Sequence, residues 1–375
     1  MTIACLSTNA TNTFYFETPV DTLHIATTDG VVTLQRSDSG GWAAASRSLT
    51  GEHISALYYD APSKTLLAAR IPGGLLRSTD GGSTWSESSP GVAEEATYSL
   101  RGFAIGGRTR LYLGTQPAGL YVSDDNGLSW SDLVALRTAP MHDRWQFPSP
   151  EHQPHLKTLA VDPRNADVIY AGVEQGAMLK SIDGGKSWRD IDGFVDYDHF
   201  VYKDMHQIVL RPGNPDEVLI TTGLGIFRSP DGGESWRQLT DSSFRIGYPD
   251  QILFAPDDAQ RMFVAGGFAT PNFWVEQGTA RGTVMISHDG GTSWRAPASG
   301  FPETRANVEA LTLCASRDGY EIFAGTTDGE VLCSADGGES WAGIISGLAP
   351  IGKPTHDTLI AGMGYNVPEE ALTAK

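Results

Sequence analysis

The chain has 375 residues and a formal net charge of -18, with 27 Lys and Arg against 45 Asp and Glu. That balance disfavours a grip on phosphate backbones or anionic lipid, both of which need basic surface, so neither nucleic acid nor membrane is an expected partner. No run of about 18 apolar residues occurs, Met1 to Val20 lacks a basic region followed by an apolar stretch, and the cysteines (Cys5, Cys314, Cys333) are too few for a disulfide framework. A cytoplasmic protein without a signal peptide is expected.

Taken in chain order, short β-rich runs alternate with turn signals. Thr22-Leu-His-Ile-Ala precedes a worn turn, Ser37-Asp-Ser-Gly-Gly-Trp42, and Thr65-Leu-Leu-Ala-Ala and Gly74-Leu-Leu-Arg-Ser78 precede Ser-Thr-Asp-Gly-Gly-Ser-Thr-Trp85. Arg110-Leu-Tyr-Leu-Gly then leads to the variant Ser123-Asp-Asp-Asn-Gly-Leu-Ser-Trp130, and Val168-Ile-Tyr-Ala-Gly and Ala177-Met-Leu-Lys-Ser181 to the turn ending at Trp188. Val218-Leu-Ile-Thr-Thr, Met262-Phe-Val-Ala-Gly and Glu321-Ile-Phe-Ala-Gly precede turns ending at Trp236, Trp294 and Trp341.

The seven tryptophans are 43, 45, 58, 48, 58 and 47 residues apart. A period in that range is one four-stranded propeller blade. The runs are second and third strands, and each Ser-x-Asp-Gly-Gly-x-Ser/Thr-Trp unit is the hairpin between third and fourth. Its aspartate can fold onto turn amides, its glycines can take positive φ, and its tryptophan packs between sheets. The units are therefore read as structural.

These units resemble the Asp-box (BNR) repeat superfamily, whose relatives include sialidases, two-propeller xyloglucanases, sortilin-type receptors and photosystem II assembly factors. The resemblance spans Leu23 to Ile345 and implies an all-β, seven-bladed propeller of four-stranded antiparallel blades. It implies no one function, because that fold hosts enzymes, receptors and assembly factors alike. The expected single domain, 1-375, has blades at about 20-50 plus 355-362, 52-90, 97-135, 154-193, 204-241, 248-298 and 306-346, with a tail at 366-375. The first blade has no matched inner strand directly before it. His356 to Gly362 can supply one, with Thr13 to Thr18 as the rival.

The two long units gain their extra residues at Val134 to Gln153 and Phe268 to Gly282, both on the face opposite the boxes, and these hold the two tryptophans outside boxes, Trp145 and Trp274. Seven of the nine histidines stand before or at the start of inner strands on that face. Long loops on one face of a rigid scaffold commonly carry function. An alignment of the inner strands puts Ser55, Arg101, Lys157, His206, Asp250, Glu309 and Asp357 on the channel wall. His53, Ser99, His155, Asp204, Tyr248, Asn307 and Thr355 stand one layer nearer the mouth. That wall reads as cationic on blades three and four and anionic on blades six, seven and one.

Two functions fit. One is a hydrolase or lyase, glycosyl hydrolase-like, acting on a sugar-like or other small polar or anionic substrate. His155, His206, Asp250, Glu309, Asp357 and Glu174 are its acid–base candidates, and His53, Arg101, Lys157, Asp204, Tyr248, Trp145 and Trp274 its binding candidates. A divalent metal on His152, His155, Asp204 and His206 is a further candidate, since imidazole with carboxylate suits several such ions. The other function is a non-catalytic scaffold that binds a protein partner through the inserted loops. Arg70-Ile-Pro72 looks like the sialidase Arg-Ile-Pro motif, but it follows the second strand of blade two and the wall offers a single arginine. A true sialidase is not expected, nor, with one propeller's worth of repeats, the two-propeller xyloglucanase arrangement.

Overall fold

The computed structural model describes all residues except 1, 95, 141, 148-152, 196-202 and 353-375. Seven small sheets form the seven blades of a propeller. Blade two shows the plan: Ile54–Asp60, Thr65–Arg70, Gly74–Ser78 and Ser86–Glu87 pair in order, each antiparallel to the last. In blade six a single bridge between Ile286 and Arg295 stands in for the outer strand. Apolar clusters lie between neighbouring blades, as with Leu67, Leu75, Leu100 and Leu113 between blades two and three.

Each full box forms the same turn. Asp80 Oδ1 accepts from the amides of Ser83 and Thr84 at 3.1 and 2.9 Å and from Ser78 Oγ at 2.7 Å, while Thr84 Oγ1 donates to its Oδ2 at 2.6 Å. Those donors favour the anion and hold the Asp80 carboxyl at about 2, as their counterparts do for Asp183. Positive φ at Gly81 and Gly82 (73° and 87°) explains why both positions are glycine. In blades three and five the tryptophan clips the turn to the preceding blade, with Trp130 Nε1 donating to Ser88 O at 2.8 Å and Trp236 Nε1 to Ile191 O at 2.8 Å.

The inner strands of blades two to seven each carry a β-bulge at or one residue from the same position, which leaves Ser55, Tyr98, Lys157, His206, Asp250 and Glu309 unpaired in the ladder. A bulge re-aims the extra side chain. The residue after the bulge then couples blades: Thr158 Oγ1 accepts from the Ile208 amide at 3.0 Å, Gln207 Oε1 from Ile252 at 2.6 Å and Gln251 Oε1 from Leu311 at 2.7 Å.

Ring closure differs from the sequence expectation. The inner strand of blade one is Ile3–Leu6, paired in parallel with Thr22–Thr27, so it occupies the place expected for His356 to Gly362, which lie outside the described residues. The rival segment goes elsewhere, since Thr13–Tyr15 pairs in parallel with Val308–Ser316 of blade seven. Between these strands Ser7 to Asn12 crosses the channel. The Leu100 amide donates to Asn9 O at 3.0 Å, the Leu313 amide to Asn12 O at 2.8 Å, and Gln251 Nε2 to Thr8 O. The cysteines are free, with Cys314 and Cys333 on non-adjacent strands of blade seven.

Candidate functional site

The bulges gather Lys157, His206, Asp250 and Glu309 around one small cavity with room for about one water molecule, which Gln251 and, from the crossing segment, Thr8 and Asn9 complete. All four ionisable side chains are more than nine-tenths buried. Burial of this kind is tolerated where partners satisfy the charge. Asn307 Nδ2 donates to Asp250 Oδ2 at 2.7 Å, and Lys157 Nζ donates to Glu174 Oε1 at 2.8 Å. Glu174 stands in the turn between the second and third strands of blade four and also meets His155 Nε2 through Oε2. The His155 ring lies flat against Tyr98, with centroids 3.8 Å apart and planes 26° apart, and edge-on to Phe147 at 4.7 Å.

On the same wall, Tyr248 Oη donates to Asp204 Oδ2 at 3.0 Å, and His206 Nε2 lies 3.4 Å from that oxygen. His206 Nδ1 is 2.7 Å from Pro249 O. A carbonyl only accepts, so the Nδ1 proton is fixed there and Nε2 faces Asp204. Burial opposes ionisation of Asp204, but the charge and proximity of His206 outweigh it and hold the carboxyl below its ordinary range. For Tyr248, burial first and then Asp204 push the phenol well up, so it stays a proton donor. Glu174, Asp204 and His206 each offer a ligand atom within 4.8 Å of the others, and all three are buried.

Of the sequence candidates, Lys157, His206, Asp250 and Glu309 reach the cavity, and Glu174, His155, Asp204 and Tyr248 line the wall behind it. His53 lies at the mouth beside Gly352, and burial lowers its imidazole. His152 and Asp357 lie outside the described residues. Arg101 corrects the expected register, because the bulge of blade three falls at Tyr98, three residues earlier. Arg101 is buried beside the crossing segment; its Nε meets no hydrogen-bond partner among the described residues, and burial lowers its guanidinium to about 10. The cationic arc is also corrected, since Lys157 is paired with Glu174.

Trp145 and Trp274 are corrections too, for neither is offered to a ligand. They are 5% and 8% exposed. Trp145 packs beside His142 and under Gly176, and Trp274 stands edge-on to Tyr248 with centroids 5.4 Å apart. Sequence reasoning missed Thr8, Asn9 and Gln251 as cavity lining. Thr8 and Asn9 precede the first repeat, where no pattern could mark them.

No protein-family model matches the chain. It is 22% identical over 151 residues, 40% of this chain, to an oligoxyloglucan-reducing end-specific xyloglucanase of Emericella nidulans, and spans 17% of that protein. It is 26% identical over 255 residues, 59% of this chain, to the photosystem II assembly lipoprotein Ycf48 of a Synechococcus species, and spans 68% of it. Among solved structures it is similar to an ancestral GH74 enzyme, with a TM-score of 0.58, 16% identity, 75% of this chain covered and 36% of that one. It is also similar to YCF48 bound to D1 peptide, with a TM-score of 0.56, 16% identity and coverage of 87% and 91%. At such identity the likeness shows the propeller fold, and the relatives divide between an enzyme and an assembly factor.

Proposed function

We propose that the chain is a cytoplasmic hydrolase or lyase that binds the reacting group of a small polar, sugar-like or anionic substrate in the channel cavity. The observation that carries this reading is the cavity wall itself, where four buried ionisable side chains from four consecutive blades are raised on bulges toward one space. Asp250 and Glu309 act there as general acid and base, and the Lys157–Glu174–His155 group orients the polar end of the substrate. The space these side chains leave is about the size of one water molecule, so only the reacting atoms, and not a whole sugar ring, enter it. Three free thiols accord with the cytoplasm.

The test is turnover of a chromogenic panel of nitrophenyl glycosides and esters. Asp250→Asn and Glu309→Gln are each expected to lower turnover by about 10²–10⁴-fold with the fold intact. Equal turnover in the variants, or none in the wild type, would remove the reading.

A protein-binding scaffold is favoured by a different observation. Phe268 is 41% exposed on the inserted turn of blade six, between Arg245 and Arg281 at 5.3 and 5.5 Å from its ring. An exposed aromatic flanked by two arginines is a common composition for a protein interface. If the chain is a scaffold, Phe268→Asp fails to complement a deletion strain while Asp250→Asn still does.

A further inference from the structure

The geometry points to a divalent transition-metal site, for Zn²⁺ or Mn²⁺, formed by Glu174, Asp204 and His206 on the cavity wall. It rests on the same site as the enzyme reading above and adds its chemistry. The three ligand atoms lie within 4.8 Å of one another. An ion bound at about 2.0–2.2 Å by each needs ligand atoms up to about 4.4 Å apart, so only a small closing movement separates this arrangement from a coordination shell.

Glu174 is held through both oxygens by Lys157 and His155, whereas two polar atoms of the other ligands are short of partners. His206 is 4% exposed, and its Nε2 has no hydrogen-bond partner among the described residues, nor has Oδ1 of Asp204, which is 7% exposed. With Nδ1 turned to Pro249 O, Nε2 stands toward a carboxylate 3.4 Å away, longer than the usual closed hydrogen bond. A cation between the two residues takes up His206 Nε2 and Asp204 Oδ1 together.

Each ligand is steered by a second partner, as in metal sites generally. Pro249 O fixes the His206 tautomer, Tyr248 Oη holds Asp204 Oδ2 at 3.0 Å, and Lys157 Nζ holds Glu174 Oε1 at 2.8 Å. Two carboxylates and one imidazole suit Zn²⁺ or Mn²⁺ better than Ca²⁺ or a thiolate-seeking ion. Three protein ligands leave an open position for water beside the cavity that His206 also lines, which is the pattern of a catalytic and not a structural site.

The test is titration of the chelator-stripped full chain with Zn²⁺ alone, followed by calorimetry, and with Co²⁺ followed by its visible absorption. One equivalent bound by the wild type is expected, weakened by more than about 100-fold in His206→Gln and Asp204→Asn and by about 10-fold in Tyr248→Phe. Asp250→Asn is expected to keep the metal, which separates this inference from the acid–base reading, where the same variant loses turnover. Circular dichroism and thermal unfolding of each variant establish that it is folded. No uptake by the wild type, or full uptake by folded His206→Gln, overturns the site.

Discussion

His24 has the side chain whose environment most directly sets a pH dependence. It is 1% exposed within the inner core of blade one, its Nδ1 2.9 Å from Thr33 Oγ1, and burial lowers its imidazole from 6.5 to about 4. The unfolded chain therefore binds the extra proton first, so stability is highest above pH 6.5 and falls as pH drops toward about 4. At about 1.4 kcal/mol per pH unit the loss over that window is roughly 3 kcal/mol. His24→Gln removes the term, and urea unfolding between pH 7 and pH 4 is expected to show a correspondingly flatter pH dependence. Parallel curves for wild type and variant would mean that the histidine is not the source. Nothing in Thr22-Leu-His-Ile-Ala distinguishes this buried histidine from one at the channel mouth, because a strand pattern gives burial but not the groups that face it.

At the scale of elements, what repeats was legible and what occurs once was not. The boxes, their hairpins and the second and third strands were readable because seven copies average out the noise of any one. Register on the wall was readable for Lys157, His206, Asp250 and Glu309, yet the reading assumed plain alternation, whereas a bulge aims each of them. Blade three failed because its inner strand, Ala96–Ile105, has ten residues against seven in blades two, four and five, so alignment on the strand end slid the register to Arg101. Trp145 and Trp274 failed because a loop composition does not say whether the loop folds back on the blade. The box turn makes its own prediction. With Asp80 and Asp183 held at about 2 against an ordinary 3.8, each contributes stability above about pH 4 that is lost as pH falls toward 2. Asp80→Asn with Asp183→Asn keeps the turn shape but removes that titration, so the melting temperature is expected to fall less between pH 4 and pH 2 than in the wild type. An unchanged acid limb would show that these carboxylates do not stabilise the fold through ionisation.

For the molecule as a whole, closure of the ring and construction of the site are one event. Ile3–Leu6 completes blade one, Thr13–Tyr15 seals against blade seven, and the crossing between them supplies Thr8 and Asn9 to the cavity. Blades one and seven are joined elsewhere by Arg36, which donates to Glu321 at 2.7 and 2.6 Å, and by Trp42 set edge-on to Phe323 at 5.6 Å. These outer contacts are partly exposed, so they screen weakly against opening, whereas Ala4, Cys5 and Leu6 are fully buried. The inner strand should therefore dominate closure. Leu6→Ala, by leaving a cavity in that core, is expected to cost roughly 2–5 kcal/mol, while Arg36→Ala should cost about 1 kcal/mol or less. Removal of residues 2–16 would expose the edge of Thr22–Thr27 and the floor of the cavity together, so the urea midpoint should drop and proteolysis between blades one and seven should begin under conditions the full chain survives. A synthetic peptide of residues 2–16 added to the truncated chain should restore part of both. A truncated chain with the wild-type midpoint would mean that the outer contacts alone hold the ring, and that the N-terminal segment serves the cavity and not the fold.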